Sequence, residues 1–321
     1  MTASAGPSAR PGRVPGGVRE GQTFGGTSRA VRYANFVKLP HTVFALPFAL
    51  VGVTLGSFRT DLRVATVAWV VVAFTAARFA AMGFNRIADR AYDARNPRTA
   101  MRELPTGAMG VAEAWGAVLV ACALFVFAAG MINTLCFALS PVALAWVLGY
   151  SYSKRFTRWS HLVLGFGLGI APVGGYLAVT GAWSEPWWML VVLATAVATW
   201  TAGFDVIYAL QDVEVDRAEG LWSLPATVGP QAAMTIARVM HMLTVVALAL
   251  VGVAAHAGRY YFGGVAAAAV LLHYEHHLVR TAGMAKLDKA FFTVNIALSS
   301  IFFVFVLLER VLPFHPLWPL F

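Results

Sequence analysis

The stretch that decides the fold is residues 187–216, WWMLVVLATAVATWTAGFDVIYALQDVEVD. It begins with an apolar run that contains no charged residue before Asp205. A helix needs about 20 such residues to cross the hydrocarbon core of a bilayer, which is about 30 Å thick. Asp205, Asp212 and Asp216 follow one another at spacings that place them on one face of a helix. The stretch therefore predicts a transmembrane helix over 187–210 and a set of three carboxylates at one membrane surface.

Eight more apolar stretches of similar length occupy most of the chain, at 34–57, 65–87, 111–130, 132–150, 161–181, 233–256, 260–280 and 290–312. Backbone polar groups cannot be left without partners in lipid, so long apolar stretches must be helices. The period-2 alternation of barrel strands is absent from the sequence. These features predict an all-α polytopic membrane protein with about nine transmembrane helices.

The composition is typical of a membrane protein. Of the 321 residues, 59% are apolar and 12% are charged, whereas soluble domains have about 45–50% and about 25%. These fractions exclude an ordinary water-soluble globule and a largely disordered chain. The formal charge of +9 comes from basic residues spaced between apolar runs. That spacing indicates contact with a lipid bilayer surface and not with nucleic acid.

The basic residues also predict the orientation. Nineteen of the 24 Lys and Arg residues fall in the N-terminal segment and in alternate loops, and Arg78 lies inside a span. Because cytoplasmic loops carry such an excess, the N-terminus and these loops are expected in the cytoplasm. Residues 1–30 are rich in Gly, Pro, Ser and Arg and lack the apolar core of a signal peptide. They predict a disordered basic tail that precedes one transmembrane domain over 31–321.

A second carboxylate cluster ends the span over 65–87. Asn85, Asp89 and Asp93 occur there in the string NRIADRAYD, and four spans separate them from Asp216. Each half of the chain thus carries one acidic cluster at the same side of the membrane. This layout predicts an internal duplication of two four-helix halves.

The two clusters indicate a metal-bridged diphosphate site. Like charges four residues apart destabilise a helix, and placing a carboxylate near hydrocarbon costs free energy. The carboxylates therefore require positively charged partners. Mg²⁺ binds one or two carboxylates together with phosphate oxygens. Four basic residues on the same side can hold the phosphates: Arg98, Arg102, Lys154 and Arg155. For one cluster alone, solvated loop charges paired with nearby arginines would be the alternative.

With these motifs the sequence resembles the UbiA superfamily of intramembrane aromatic prenyltransferases, whose motifs are Asn-x3-Asp-x3-Asp and Asp-x3-Asp. The similarity extends to the flanking stretches NPRTAMR at 96–102, YSYSKRFT at 150–157 and GLWSLP at 220–225. It gives a first motif over 85–102 and a second over 205–225. Glu103 and Leu104 precede Pro105, where many members have Arg directly before Pro. The resemblance covers residues 31–313 and implies a helical bundle around a central cavity.

Three further stretches are most similar to bacterial quinone-pathway members: KLPHTVFALPFA at 38–49, HYEHH at 273–277 and FFTVN at 291–295. The resemblance implies transfer of a polyprenyl group from polyprenyl diphosphate to 4-hydroxybenzoate in the bacterial inner membrane. An alternative acceptor is the 1,4-dihydroxy-6-naphthoate of the futalosine route to menaquinone. A secondary transporter would also have a repeat and intramembrane acids. Here the acids lie at helix ends beside basic loops, which favours the enzyme.

The resemblance also implies roles for individual residues. One Mg²⁺ would be held by Asn85, Asp89 and Asp93, and a second by Asp212 and Asp216. The diphosphate would be gripped by basic side chains drawn from Arg98, Arg102, Lys154 and Arg155.

Three residues near the motifs are candidates for the later chemistry. Tyr152 and Tyr208 would stabilise an allylic cation with their ring faces, and ordinary packing at the membrane interface is the alternative. Asp205 would orient or deprotonate the acceptor. A third carboxylate near the metals is the alternative role for Asp205.

Overall fold

A computed structural model of the chain shows a bundle of long helices whose connecting segments are short. The structure describes residues 24–26, 28–282 and 287–312, so most of the predicted tail over 1–30 lies outside the described residues. The elements up to the middle of the chain are α1 (Arg29–Phe36), α2 (Leu39–Gly56), α3 (Val64–Ala88), α4 (Arg90–Arg95), α5 (Val111–Ile132), α6 (Thr134–Gly149) and a 3₁₀ turn (Tyr150–Arg155).

The second part of the chain continues in the same manner. Its elements are α7 (Ser160–Thr180), α8 (Trp188–Ala209), a 3₁₀ turn (Leu210–Asp212), α9 (Val213–Ala218), α10 (Leu224–Val228), α11 (Pro230–Ala254), α12 (Arg259–Ala282) and α13 (Leu287–Val311). No strand occurs in the part of the chain that the structure describes. Each of the nine predicted spans corresponds to one long helix.

The membrane character of the fold is confirmed. Seven of the described helical segments are long and apolar enough to cross a membrane. They contain α3, α5, α6, α7, α8, α11 and α13. The chain is therefore an all-helical, multi-pass membrane protein. The number of nine crossings and the internal duplication stay predictions.

The long helices form a closed ring. Helices adjacent in sequence pack side by side from α2 to α13, and α13 closes the ring against α2. In addition, α2 packs against α7 at very short range. A Cβ on Gly52 would lie 1.9 Å from the carbonyl oxygen of Pro172, and one on Gly175 would lie 2.2 Å from that of Ala49. Only glycine permits this approach of the two backbones.

Asn133 divides the long apolar stretch over 111–150. Its backbone is extended between α5 and α6, and its Oδ1 accepts a hydrogen bond from the backbone N–H of Cys136 at 2.8 Å. Its Nδ2 donates to the carbonyl oxygen of Leu177 in α7 at 2.9 Å. One side chain thus caps α6 and ties the turn to a neighbouring helix.

A buried polar network fixes the C-terminal half of α8. The indole N–H of Trp200 donates to Asn295 Oδ1 at 2.8 Å, and Asn295 Nδ2 donates to Glu275 Oε1 at 2.9 Å. His241 Nε2 lies 3.3 Å from the carbonyl oxygen of Trp200. The ring of His241 fits against α8 because residue 203 is glycine, where a Cβ would lie 2.2 Å from that ring. The network joins α8, α11, α12 and α13.

Candidate active site

The first motif lies where α3 ends. Asp89 interrupts the helix with φ −94° and ψ 5°, and α4 begins at the next residue. Hydrogen bonds of helical spacing nevertheless continue through the break, from Asp89 N to Asn85 O at 2.9 Å and from Asp93 N to Asp89 O at 2.8 Å. The helix is thus interrupted at Asp89, but its hydrogen-bond spacing is kept. The side chains of Asn85, Asp89 and Asp93 consequently line one cavity.

The second motif is divided among three elements. Asp205 lies near the end of α8, Asp212 ends a 3₁₀ turn, and Asp216 lies in α9. The sequence suggested a single helical face, and the 3₁₀ turn after Ala209 breaks it. All three carboxylates line the same cavity as the first motif.

Both motifs open into one cavity of about 280 Å³. Its amide and carboxylate side chains come from both halves of the chain: Asn85, Asp89, Asp93, Asn96, Asp205, Asp212, Asp216 and Glu219. Its basic side chains come from four different segments: Lys38, Arg78, Arg86, Arg98, Arg102 and Lys154. The structure thus brings together ten of the twelve residues that the sequence analysis named, and the two that lie elsewhere are Tyr152 and Arg155.

Asp89 is held by the 3₁₀ turn over 150–155 as well as by its own motif. Lys154 Nζ lies 3.0 Å from Asp89 Oδ2, and Asn85 Nδ2 donates to the same oxygen at 3.1 Å. Arg155 Nη2 lies 3.4 Å from Asp89 Oδ1 and donates to the carbonyl oxygen of Ala88 at 2.7 Å. The Asp89 side chain is only 4% exposed. Arg155 therefore supports the carboxylate, and Lys154 also lines the cavity.

One carboxylate oxygen of Asp93 has a hydrogen-bond partner, and the other has none among the described residues. Arg102 Nη1 donates to Asp93 Oδ1 at 2.7 Å. Asp93 Oδ2 is buried and has no hydrogen-bond partner among the described residues. Because a buried carboxylate oxygen without a partner is costly, this atom indicates a missing ligand.

Arg98 connects the two motifs. Its Nε donates to Asp212 Oδ1 at 3.0 Å and its Nη2 donates to Asp212 Oδ2. Its Nη1 donates to the hydroxyl of Tyr208 at 3.0 Å, and its guanidinium carbon lies 5.1 Å from the centre of that ring. Lys38 Nζ lies 5.8 Å from the same ring centre. Lys38 is thus a basic residue of the cavity that the sequence analysis did not select.

Tyr152 lies apart from the motif residues. It is 41% exposed, and its ring packs edge-on against Phe84 with the centroids 5.8 Å apart. The guanidinium carbon of Arg155 lies 4.7 Å from the Tyr152 ring centre. Tyr150, on the same 3₁₀ turn, lines the cavity instead.

Arg78 and His161 are two further cavity residues outside the predicted site. Arg78 lines its inner part from α3, and the buried Arg78 Nε makes no hydrogen bond within the described part of the chain. His161 Nδ1 lies 2.7 Å from Asp205 Oδ2. The sequence carried a signal for Arg78, because it is the basic residue inside a predicted span. It carried none for His161, because 44 positions separate His161 from Asp205.

An apolar cavity of about 460 Å³ adjoins the polar one. The two share Arg78, Tyr150, Leu164 and Leu168. The apolar cavity is lined mainly by alanine, glycine and larger apolar side chains of α2, α3, α5, α6 and α7. Its lining includes Leu177 near the end of α7, so it follows about 20 Å of that helix.

The outer edges of the two motifs are joined by an ion pair. Arg95 Nε donates to Glu219 Oε1 at 2.7 Å. These hydrogen bonds from Arg95 lower the pKa of the Glu219 carboxyl below its ordinary value of 4.5. The backbone N–H of Trp222 also donates to the carbonyl oxygen of Lys154 at 2.7 Å. The segments that cover the cavity are thus tied to one another.

The oxygen atoms of the cavity fit a hard divalent cation. No three described acidic, histidine or cysteine side chains converge as a metal-binding group, since basic side chains are paired with the carboxylates. The available donors are carboxylate and amide oxygens, which Mg²⁺ prefers. The unpaired, buried Asp93 Oδ2 provides an oxygen for such an ion.

Comparison with known proteins gives the family. The sequence matches the UbiA prenyltransferase family over residues 45–301. The 4-hydroxybenzoate octaprenyltransferase of Alkalilimnicola ehrlichii is 30% identical over 235 residues, which are 73% of this chain and 78% of that enzyme. The enzyme of the same name from Xanthomonas campestris pv. campestris is 33% identical over 233 residues, 71% of this chain and 75% of its own.

Solved structures have the same fold. A UbiA homologue from Aeropyrum pernix has a TM-score of 0.76 at 32% identity and covers 84% of this chain and 98% of its own. A UbiA homologue from Archaeoglobus fulgidus, solved with GPP and Mg²⁺ bound, has a TM-score of 0.66 at 19% identity over 86% of this chain and 99% of its own. The matched region contains both carboxylate motifs and nearly all of the ring of helices. This chain belongs to the UbiA prenyltransferase family.

Proposed function

We propose that this chain transfers a polyprenyl group from polyprenyl diphosphate to 4-hydroxybenzoate or a related hydroxyaromatic acid. The reaction depends on Mg²⁺ and takes place at the cytoplasmic side of a bacterial inner membrane. Arg78 carries the proposal: it is a partly exposed arginine that lies where the polar and apolar cavities meet, and its buried Nε has no hydrogen-bond partner among the described residues. Relatives named 4-hydroxybenzoate octaprenyltransferase support the acceptor, and the homologue bound to GPP and Mg²⁺ supports the donor and the cation.

The polar cavity suits a metal-bound diphosphate because it combines carboxylates that can bind a cation with basic side chains that can bind phosphate. Asn85, Asp89 and Asp93 would hold one Mg²⁺, and Asp212 and Asp216 a second. Bound Mg²⁺ withdraws charge from the leaving diphosphate and so eases rupture of the allylic carbon–oxygen bond.

The basic partners of these carboxylates have the complementary task. Arg98, Arg102 and Lys154 each contact a carboxylate and line the cavity. When a cation takes the carboxylates, these side chains turn to the phosphate oxygens, and the charge of the cavity stays balanced. Arg98 then leaves the ring of Tyr208, whose face becomes available to the allylic cation. Tyr152, outside the cavity, has no part in this proposal.

The adjoining apolar cavity suits the polyprenyl chain. It has room along about 20 Å of α7, and its apolar lining suits the hydrocarbon part of the donor. The diphosphate of the same molecule reaches the polar cavity because the two cavities meet at Arg78 and Tyr150.

Arg78 suits the carboxylate of the acceptor. An arginine among transmembrane helices, with a buried Nε that lacks a partner, requires an anionic or hydrogen-bonding group. A benzoate carboxylate can accept two parallel hydrogen bonds from a guanidinium. Because 4-hydroxybenzoate and 1,4-dihydroxy-6-naphthoate both carry a carboxylate, both satisfy this requirement.

The test is an acceptor panel with purified protein in lipid nanodiscs. Polyprenyl diphosphate and Mg²⁺ are incubated with 4-hydroxybenzoate, with 1,4-dihydroxy-6-naphthoate, and with phenol, which lacks a carboxylate. We expect prenylated product and diphosphate release with at least one acid, little product with phenol, and no product after chelation of the metal. Failure to prenylate any aromatic acid would overturn the proposal.

A variant of Arg78 tests the carboxylate contact. Arg78→Leu is expected to raise the KM of the acid by about 10-fold or more, as for loss of a charged hydrogen bond, and to leave the KM of the donor within about 2-fold. Arg63→Leu, at an exposed position before α3, is the control. Equal loss for acid and phenol in the Arg78 variant would argue against this role.

A further inference from the structure

His161 links Asp205 to Leu224, at the other end of the second motif. It is the second residue of α7, and its side chain is 7% exposed. Its Nδ1 lies 2.7 Å from Asp205 Oδ2, and its Nε2 lies 3.3 Å from the backbone nitrogen of Leu224. The imidazole therefore bridges α7, α8 and the start of α10.

These two contacts determine the protonation of the imidazole. A backbone N–H can only donate, so Nε2 accepts from Leu224 and carries no proton. The ring proton of neutral His161 is then on Nδ1 and is donated to Asp205 Oδ2. In this arrangement Asp205 accepts through Oδ2, and Oδ1 is its second acceptor atom.

Asp205 differs from the other paired carboxylates of the cavity. Asp89, Asp93 and Asp212 are paired with lysine or arginine. Asp205 is joined to an imidazole, and its side chain is 28% exposed toward a cavity that it lines. It lies within electrostatic reach of Arg78 in the inner part of that cavity. Asp205 thus lines the cavity of the proposed acceptor, and its hydrogen-bond partner is an imidazole and not a lysine or an arginine.

We propose that His161 is a positioning residue that holds Asp205 as the proton acceptor for the prenylated ring. The inference rests on the proposed function. In the step concerned, the allylic carbon–oxygen bond breaks and its electron pair leaves with the diphosphate. A π-electron pair of the acceptor ring forms the new carbon–carbon bond. The hydrogen at that ring carbon then leaves as a proton to Asp205, and its bonding pair restores the aromatic ring.

This role selects one of the two sequence-based alternatives for Asp205. Three of the carboxylates assigned to the cations, Asp89, Asp93 and Asp212, are each paired with lysine or arginine, whereas Asp205 is paired with a histidine. A carboxylate that removes a proton must be fixed in direction, and a hydrogen bond from a buried imidazole does this. His161 thus favours the base over the third metal-bound carboxylate.

Two amide variants separate positioning of Asp205 from anchoring of Leu224. The amide nitrogen of Asn occupies nearly the place of histidine Nδ1, so His161→Asn retains a donor to Asp205. The amide group of Gln reaches nearly the place of Nε2, so His161→Gln retains an acceptor for the Leu224 N–H. We expect His161→Asn to keep transfer within about 3-fold of wild type and His161→Gln to lose about 10-fold or more, as His161→Leu does.

A deuterium isotope effect on the transfer rate distinguishes a positioning role of His161 from a purely structural one. The acceptor is deuterated at the ring carbon that becomes prenylated. Wild type is expected to show little effect, because ionisation of the donor precedes proton loss and is slower. A weakened base makes proton loss limiting, so His161→Leu and Asp205→Asn should each show a primary isotope effect and His161→Asn should not.

The outcomes are distinct. Wild-type transfer by His161→Leu, or slow transfer without an isotope effect, would overturn the inference. So would rescue by Gln and not by Asn, since the histidine would then serve the backbone of Leu224. Failure of the proposed function itself would appear separately, as absence of prenylated acid with the wild-type protein.

Discussion

Arg98 and Asp212 form a two-pronged ion pair that joins the two carboxylate motifs, with Arg98 Nε 3.0 Å from Asp212 Oδ1. The pair crosses 114 positions of sequence. The same guanidinium also contacts the Tyr208 hydroxyl. In the proposed function, Arg98 would exchange this carboxylate for a phosphate of the donor.

The first prediction concerns this guanidinium. Arg98→Ala is expected to lower kcat/KM for prenyl transfer by about 100-fold, as for loss of one charged group that stabilises a leaving anion. Arg98→Lys keeps the charge and loses the two-pronged geometry, so we expect about a 10-fold loss. Arg90→Ala is the matched control, because Arg90 is exposed and is not among the cavity residues. Equal activity of the Ala and Lys variants would show that the positive charge at this position has no part in the effect.

The second prediction concerns the carboxylate of Asp89. Asp89→Asn keeps the size of this nearly buried side chain and removes its charge. We expect a loss of about 100-fold or more in kcat, which excess Mg²⁺ does not restore, because a ligand of the cation has changed. The comparison is Asp61→Asn, at an exposed position between α2 and α3. Full activity of the Asp89 variant would remove the first motif from the metal site.

The third prediction concerns the apolar cavity. Gly174 lines it, and a Cβ at this position would meet no atom within 4 Å. A side chain there would point into open space about 15 Å along α7 from Leu164. Gly174→Leu should lower transfer from a long polyprenyl diphosphate, relative to geranyl diphosphate, by about 10-fold or more.

The control for this variant is Gly116→Leu. Gly116 also has open space at its Cβ position, but it lies on the exposed face of α5. If the two leucine variants have the same preference for donor length as wild type, the polyprenyl chain lies elsewhere.

The fourth prediction concerns pH. The hydrogen bonds from Arg95 place the folded-state pKa of Glu219 below 4.5, its ordinary value. A depressed folded-state pKa gives stability that is present above pH 4.5 and is lost as the pH falls through the folded-state pKa. Glu219→Gln should therefore lower the Tm at pH 7, and the difference from wild type should close at low pH.

Thermal unfolding in detergent measures this effect. Glu214→Gln, at an exposed position in α9, serves as the comparison and should change the Tm little at either pH. A difference between wild type and Glu219→Gln that persists below the folded-state pKa would show that the ion pair is not its source.

The long helices were predictable because the bilayer imposes a length and an apolar composition on each of them. The predicted spans over 65–87 and 187–210 match α3 and α8 to within a residue. The break at Asp89 and the 3₁₀ turn before Asp212 were not predictable. At the membrane surface the backbone is no longer restricted to a continuous helix, and tertiary contacts decide its path.

By itself the sequence determined the class of the protein, the two carboxylate motifs and most of the basic residues beside them. Scarcity of charge in apolar helices made each charged residue conspicuous, and regular spacing made the motifs recognisable. Only the tertiary structure decided which charges meet: Arg98 with Asp212, His161 with Asp205, and Arg78 between the polar and apolar cavities. Such contacts depend on how helices far apart in sequence pack across the ring, and local periodicity contains no information about that packing.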